Sequence, residues 1–203
     1  IYNVNKQDNL FEIIFQVKGR GTNFLSKLEE GDFIDVVGPL GNGIFKLNGH
    51  KNVAIIGGGI GIFPLYEFAK EAQKEANTNI YLGFRSKDFV VLEDEFKNVA
   101  NNLIITTDDG TYGNSGFAIN YLEKDLNEKN IDAIYACGPL PMLKAVKKLA
   151  ESKNIFCQIS LEQRMACGVG ACMGCSVKLT TEDVNYARVC KDGPVFDSKS
   201  VEI

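Results

Sequence analysis

Four of the chain's six cysteines lie close together near its end, spaced Cys167-x4-Cys172-x2-Cys175-x14-Cys190. Three thiols in one loop with a distant fourth is the plant-type arrangement around a [2Fe–2S] cluster. Two irons need four thiolates, and a tight loop must wrap one rhomb. Gly168, Gly170 and Gly174 interleave the ligands. Glycine lets the backbone approach the sulfides and turn N–H groups toward them. Such hydrogen bonds stabilise the reduced, more negative cluster and tune its potential. A structural zinc site is the rival reading. Zinc sites usually pair two short knuckles; here only Cys172 and Cys175 form one, and Cys190 has no near partner. Disulfides or free thiols rank lower, because this clustering fits a cluster site in a reducing cytoplasm better than a disulfide framework. Cys137 and Cys157 fall outside the pattern, and Cys157, inside an expected strand, reads as a buried small hydrophobe.

Two further segments could hold a nucleotide. Val53-Ala54-Ile55-Ile56 runs into Gly57-Gly58-Gly59-Ile60-Gly61 and then Pro64, a strand, a glycine turn and a helix start. Glycines let phosphate oxygens approach the backbone, and a helix N-terminus favours their charge. The match to G-x-G-x-x-G is imperfect, since position 62 is Ile, and the carboxylate expected about 20 residues on is missing. Arg85 and Ser86 stand there instead; they would serve an adenosine ribose or its phosphate, or simply form a solvated loop. The alternative for the glycines is a plain strand–helix turn. Cys137-Gly138-Pro139-Leu140-Pro141-Met142 ends a later strand and opens a helix. Ligands of open α/β sheets bind at strand C-termini, so the Cys137 thiol could touch a nicotinamide ring; an incidental buried cysteine at a proline helix start is the alternative. Gly19-Arg20-Gly21-Thr22 could hold a pyrophosphate or be a β-turn with a Thr cap.

The elements that would position these residues fall into three blocks. In residues 1–50, Leu10 to Val17 and Phe33 to Val37 read as strands and Asn23 to Leu28 as a short helix, with Gly38-Pro39-Leu40-Gly41-Asn42-Gly43 a turn. Strands, a short helix and glycine loops indicate part of a β-barrel. Residues 51–161 alternate strand and helix: strands at 53–56, 79–84, 103–107, 133–136 and 156–161, helices at 60–76, 92–98, 116–126 and 139–151. That alternation implies a parallel sheet wrapped by helices. Residues 162–203 are too few to bury much apolar surface and need a staple, which a cluster would supply.

Composition closes off other classes. Apolar residues make up 45% and charged residues 24%, ordinary for a globular chain. The net charge of −4 argues against a nucleic-acid surface. No apolar run approaches the length of a membrane span, so no membrane is expected as a partner, and the cytoplasm is the expected location. The single histidine, His50, excludes a His-rich metal site or a Ser/His/Asp triad and reads as a solvated loop residue. Asp108-Asp109, in a turn-like segment, read as solvated loop acids.

In this order, the expected barrel, Gly-Gly-Gly-Ile-Gly with Pro64, and Cys137-Gly138-Pro139 resemble the ferredoxin–NADP⁺ reductase superfamily. The stretch Glu162-Gln163-Arg164-Met165-Ala166-Cys167-Gly168-Val169-Gly170-Ala171-Cys172-Met173-Gly174-Cys175, with Arg188-Val189-Cys190-Lys191-Asp192-Gly193-Pro194-Val195-Phe196, is similar to the electron-transfer subunits of type 1B dihydroorotate dehydrogenase, the PyrK family. The resemblance implies an α+β multi-domain chain: a partial flavin-binding β-barrel at 1–50, a doubly wound α/β NAD-binding domain at 51–161 and a small [2Fe–2S] domain at 162–203. It implies FAD, NAD and a [2Fe–2S] cluster as cofactors. Cys167, Cys172, Cys175 and Cys190 would be the cluster ligands. Ile14, Phe15 and Gln16 with Gly21 and Thr22 would contact FAD. Gly57, Gly58, Gly59 and Gly61, with Cys137, Gly138 and Pro139, would face NAD. It further implies a catalytic dihydroorotate dehydrogenase partner carrying FMN, in a heterotetramer of two of each, with electrons passing from FMN through the cluster and FAD to NAD⁺ in pyrimidine (UMP) biosynthesis. The family's Arg-Pro-x-Ser flavin motif has no counterpart here, and Ile1-Tyr2-Asn3-Val4 reads as the inside of a strand, so the barrel is expected to be N-terminally truncated. Sibling redox subunits share these parts, namely the small subunit of an NADH-dependent ferredoxin:NADP⁺ oxidoreductase or of a hydrogenase-linked diaphorase. A zinc-stapled binding module is the alternative of another class.

Overall fold

The computed structural model describes residues 1–180 and 185–203. Its centre is a seven-stranded sheet built from strands rich in Val, Ile and Ala, residues that suit a strand buried on both faces. The core strands are β3 (Asn52–Gly58), β4 (Asn77–Phe84), β5 (Asn102–Thr107), β7 (Ala133–Cys137) and β8 (Phe156–Ser160), all parallel. A short β6 (Asn114–Ser115) pairs with β5, and β11 (Val195–Asp197) runs antiparallel to β8 at the opposite edge. The order is β11-β8-β7-β3-β4-β5-β6.

Period-two alternation divides the sheet between two layers of helices. Val53, Ile55, Ile80, Leu82, Ala133 and Tyr135 face one cluster with Ile62, Leu65, Ala69 and Ala72 of α2 (Ile62–Ala72) and Phe96 of α3 (Glu93–Lys97). Ala54, Ile56, Tyr81, Ile134 and Ala136 face the other, with Leu122 of α4 (Ala118–Glu128) and Leu143, Val146 and Ala150 of α5 (Leu140–Lys153). Helix α5 starts after Pro139, where the missing N–H would have been unpaired, and stops at Asn154 in the left-handed region at φ 51°. The doubly wound α/β reading of the middle block is what the structure shows. The α4 layer is pinned by a buried polar contact: Tyr81 Oη donates to Asp125 Oδ2 at 2.6 Å, and Lys129 Nζ reaches the same oxygen at 2.7 Å.

The segment after β8 is continuous with this core. Strands β9 (Ser176–Lys178) and β10 (Tyr186–Arg188) form a small antiparallel pair. Val177, Ala187, Val189 and Val201 are buried in the same cluster as α5. The strand β11 then joins the large sheet, so the cysteine loop hangs between two anchored ends.

The first fifty residues carry only part of a barrel's hydrogen bonding. A hairpin of β1 (Asn3–Asn5) and β2 (Leu10–Glu12) and the short helix α1 (Arg20–Leu25) are formed. The strand expected at Phe33–Val37 is absent, and the one expected to reach Val17 stops at Glu12. No neighbouring strand offers these segments a ladder, and a lone extended chain gains nothing over solvation. Phe33 is accordingly 96% exposed and Val37 72%. Phe45 is the exception: it packs on Phe68 and Tyr135, and Tyr135 Oη donates to the Lys46 and Leu47 carbonyls. His50 lies in a loop, as expected, but is half-buried and stacks on Phe156 at 5.1 Å between centroids.

Burial opposes the charge of Asp125, but hydrogen bonds from Lys129 and Tyr81 prevail and hold its carboxyl below the usual range. Such a group stabilises the fold above its unfolded-state value and loses that contribution as pH falls through its folded one. Tyr81→Phe is therefore expected to lower the unfolding free energy by about 1–2 kcal/mol near neutral pH. In urea melts that gap should close as the pH drops through the carboxylate range.

Candidate iron–sulfur centre and nucleotide crevice

The cysteine loop brings its sulfurs together as two pairs. The Cys172 N–H donates to Cys167 Sγ at 3.4 Å. The Cys190 N–H donates to Cys175 Sγ at 3.4 Å. The Gly174 N–H adds a contact of 3.4 Å to Cys172 Sγ. The distant fourth cysteine is delivered by β9 and β10, whose register sets Arg188 against Ser176, and by the Val189 N–H on the Cys175 carbonyl at 3.0 Å. Gly168 and Gly170 take φ of 71° and 80°, which turns the loop back on itself as only glycine does readily.

Donors aimed at sulfur favour thiolate. The N–H groups of Cys172, Val169 and Ala171 and the Cys172 side chain bring the Cys167 thiol down to about 6, and the Cys190 N–H lowers Cys175. Cys190 moves up, chiefly because it donates to Cys175. Among the described residues no three of Cys, His, Asp or Glu converge on a single point that could hold one metal ion. A tetrahedral zinc needs four ligands about one centre. A two-iron rhomb takes two thiolates at each iron, with bridging sulfides completing both shells. The donor set present, two thiol pairs ringed by amide N–H groups, fits the rhomb. One pair is open, with Cys172 exposed and Cys167 half-buried; the other faces the protein, with Cys175 2% and Cys190 6% exposed.

The glycine loop and the Cys137 turn meet at one place. β3 lies between β4 and β7, so the chain's progress across the sheet reverses direction there, and open α/β sheets bind ligands at this switch point beyond the strand C-termini. Gly57 is the register partner of Cys137. A Cβ on Gly61 would lie 2.5 Å from the Cys137 carbonyl oxygen and 2.6 Å from Gly138 Cα. On Gly58 it would lie 2.9 Å from both Met142 Sδ and Pro139 Cδ. Gly57 meets Ile62 and Leu65 at 2.8 and 3.0 Å, whereas Gly59, at φ 54°, has open space. Gly58 and Gly61 thus permit the crossing of the 137–139 segment, Gly57 makes room for the α2 side chains, and Gly59 has open space around it. Cys137 itself is 3% exposed, and burial pushes its thiol up to about 11 against a hydrogen bond from Ser160. It is protonated at neutral pH and lies at the end of β7, beneath the glycine crossing. Cys157 is buried at 1% in the α5 cluster.

At the C-terminal ends of β4 and β5, the Arg85 guanidinium lies over the Phe89 ring at 5.9 Å. Asp108 and Asp109 are exposed loop acids, as their turn composition indicates, and Asp109 accepts from the Thr111 N–H and hydroxyl. In the first block, Ile14, Phe15 and Gln16 are exposed and outside any strand or helix. Gly21 sits in α1, and Thr22 Oγ1 accepts the Lys18 and Gly19 N–H groups at 2.9 and 3.1 Å. The turn Gly38–Gly43 is seated on the cysteine loop. Asn42 Nδ2 donates to the Lys191 carbonyl, the Asn42 and Gly43 N–H groups donate to the Gly193 carbonyl, and Leu40 lies over Gly168. Asn42, Met142 and Arg188 fall within the quoted segments, yet sequence reading gave none of them a role; each braces a site through a contact with another part of the chain.

A doubly wound sheet with a glycine crossing at its switch point, carrying a paired four-cysteine loop, defines a nucleotide-linked iron–sulfur oxidoreductase module of the ferredoxin–NADP⁺ reductase type. Residues 55–148 match the model of the oxidoreductase NAD-binding domain, and residues 162–202 match the iron–sulfur cluster binding domain of dihydroorotate dehydrogenase B. A protein of Fusobacterium nucleatum named as the electron transfer subunit of dihydroorotate dehydrogenase B (NAD(+)) is 43% identical over 208 residues, covering 100% of this chain and 78% of the relative. One of the same name from Caldanaerobacter subterraneus subsp. tengcongensis is 42% identical, covering 96% and 76%. A chain of the NADH-dependent reduced ferredoxin-NADP oxidoreductase superposes with a TM-score of 0.88 at 33% identity, covering 100% of this chain and 72% of its own. The chain belongs to the family of dihydroorotate dehydrogenase B electron transfer subunits.

Gly61→Ala forces Cβ into the Cys137–Gly138 backbone, which does not yield cheaply. It is expected to cost about 1–3 kcal/mol of stability and to weaken NADH binding, read by thermal melting and by titration of NADH. Unchanged values in both would mean the crossing is looser than described.

Proposed function

We propose that this chain is the electron-transfer subunit of an NAD-dependent dihydroorotate dehydrogenase in UMP biosynthesis, carrying electrons from the FMN of a catalytic partner to NAD⁺ by way of a [2Fe–2S] cluster and FAD. The observation that carries this reading is the pairing of Cys167 with Cys172 and of Cys175 with Cys190 beside a nucleotide crevice, in a chain of this family. When bound, the cluster supplies one-electron transfer, and the flavin exchanges single electrons for the pair that NAD⁺ accepts as hydride.

The remaining work falls to the chain's own residues. Cys167 and Cys172, the more open pair, and Cys175 and Cys190, the buried pair, would be the thiolates that hold the cluster. Gly57, Gly58, Gly59 and Gly61 shape the rim that receives the dinucleotide. Gly138 and Pro139 wall it, and Cys137 forms its floor beside the nicotinamide end. Ile14, Phe15 and Gln16 with Gly21 and Thr22 lie along one side of the FAD site. Residues 1–50, 51–161 and 162–203 are the flavin, nucleotide and cluster units, the last two sharing one core.

The partner docks at the open face of the cluster loop. Exposed Met165, Val169, Met173 and Leu40 surround the open cysteine pair there, an apolar surface suited to a protein interface. A heterotetramer of two of each subunit, located in the cytoplasm, is the assembly this reading implies. No helix of the described residues is long and apolar enough to cross a membrane. The likeness to the NADH-dependent reduced ferredoxin-NADP oxidoreductase favours a second reading, as the small subunit of such an enzyme. Co-purification separates the two: an FMN protein that yields orotate supports the first, a large ferredoxin-coupled flavoprotein the second.

Cys172→Ser should abolish the visible iron–sulfur absorbance and electron transfer to the partner; retention of both defeats the assignment. Cys137→Ala should slow reduction by NADH several-fold with flavin content unchanged, measured by stopped flow. An unaltered rate removes Cys137 from the crevice.

A further inference from the structure

Arg188 ends β10 two residues before Cys190, and three of its guanidinium donors are engaged. Nη1 donates to the Gly170 carbonyl at 3.0 Å, Nε to Asp192 Oδ2 at 3.0 Å and Nη2 to Asp192 Oδ1 at 3.3 Å. The Arg188 N–H reaches the same Oδ2 at 2.8 Å, and the N–H groups of Lys191 and Asp192 return to the Arg188 carbonyl at 3.1 and 2.7 Å. The two side chains are 28% and 35% exposed. This fork therefore ties the three-cysteine loop, at Gly170, to the turn that carries the fourth ligand. A Cβ on Gly170 would lie 2.6 Å from Lys191 Cδ, so Arg188 holds the three-cysteine loop where it packs against the residue after Cys190.

Geometry also fixes the charge. An arginine keeps its proton at any working pH, and this one is the register partner of Ser176, next to Cys175, and stands two residues before Cys190, so its charge lies near the inner pair. Asp192 opposes it with a negative charge nearby. Reducing the cluster by one electron adds a negative charge between the thiolates and takes up no proton. A fixed cation favours that charge and a fixed anion opposes it, more strongly in partly shielded surroundings than in bulk water.

Resting on the cluster reading above, we propose that Arg188 is a positioning residue that sets the reduction potential of the [2Fe–2S] centre, with Asp192 holding it in place and offsetting its charge. The two members of the pair then act in opposite directions. A merely structural clamp would act in one direction, since either deletion loosens the same loop.

The test is a dithionite titration of the full chain, loaded with iron and sulfide, followed by visible absorbance and by electron paramagnetic resonance, in wild type, Arg188→Met, Arg188→Lys and Asp192→Asn. The midpoint should fall in Arg188→Met, rise in Asp192→Asn and stay closer to wild type in Arg188→Lys. Shifts of the same sign in Arg188→Met and Asp192→Asn, or none in either, overturn the proposal. Should Arg188→Met fail to retain iron, the direction in Asp192→Asn decides alone: upward supports, unchanged or downward overturns. A wild-type chain that shows no iron–sulfur band overturns the cluster reading itself, a different failure from a clustered protein whose potential ignores the pair.

Discussion

Thiolates repel one another, and a fold that gathers four of them must supply something to hold them. In this chain the first supply is backbone. Amide N–H groups of the 167–175 loop and of the Cys190 turn are directed at sulfur, and left-handed glycines at 168 and 170 make that direction attainable. The rest of the C-terminal segment can be understood as the frame this arrangement needs. β9 and β10 bring Cys190 to the loop, Val177, Ala187 and Val189 sink the frame into the α5 layer, and β11 locks its far end to the sheet.

The nucleotide crevice depends on the same economy of backbone. Its two halves come from segments about eighty residues apart in the chain, yet they cross at contact distance because Gly58, Gly61 and Gly138 have no side chains there. The Gly38–Gly43 turn then links the first block to the cysteine loop through Asn42 and Leu40. A short route for electrons needs such contiguity, and the cluster segment touches both the turn from the first block and the sheet edge that leads to the crevice.

The nucleotide-binding layer was legible in the sequence because its strands and helices are made of local signals: runs such as Val53 to Ile56, and a proline start for α5. The four cysteines stood out as a candidate ligand set because their spacing is itself a signal. Phe33 to Val37 misled for a physical reason, since β-propensity describes a residue's fit to a sheet and cannot supply the neighbouring strand. His50 misled because its partner, Phe156, lies over a hundred residues away. The Arg188–Asp192 fork, Asn42 and Met142 were invisible because their roles exist only after distant segments meet.

The central claim is that two irons, not one ion, sit between the paired thiols. Iron and acid-labile sulfide counted on the purified, anaerobically loaded chain test it most directly. The account predicts two of each per chain and loss of both together on chelation. One zinc per chain with no sulfide would contradict it.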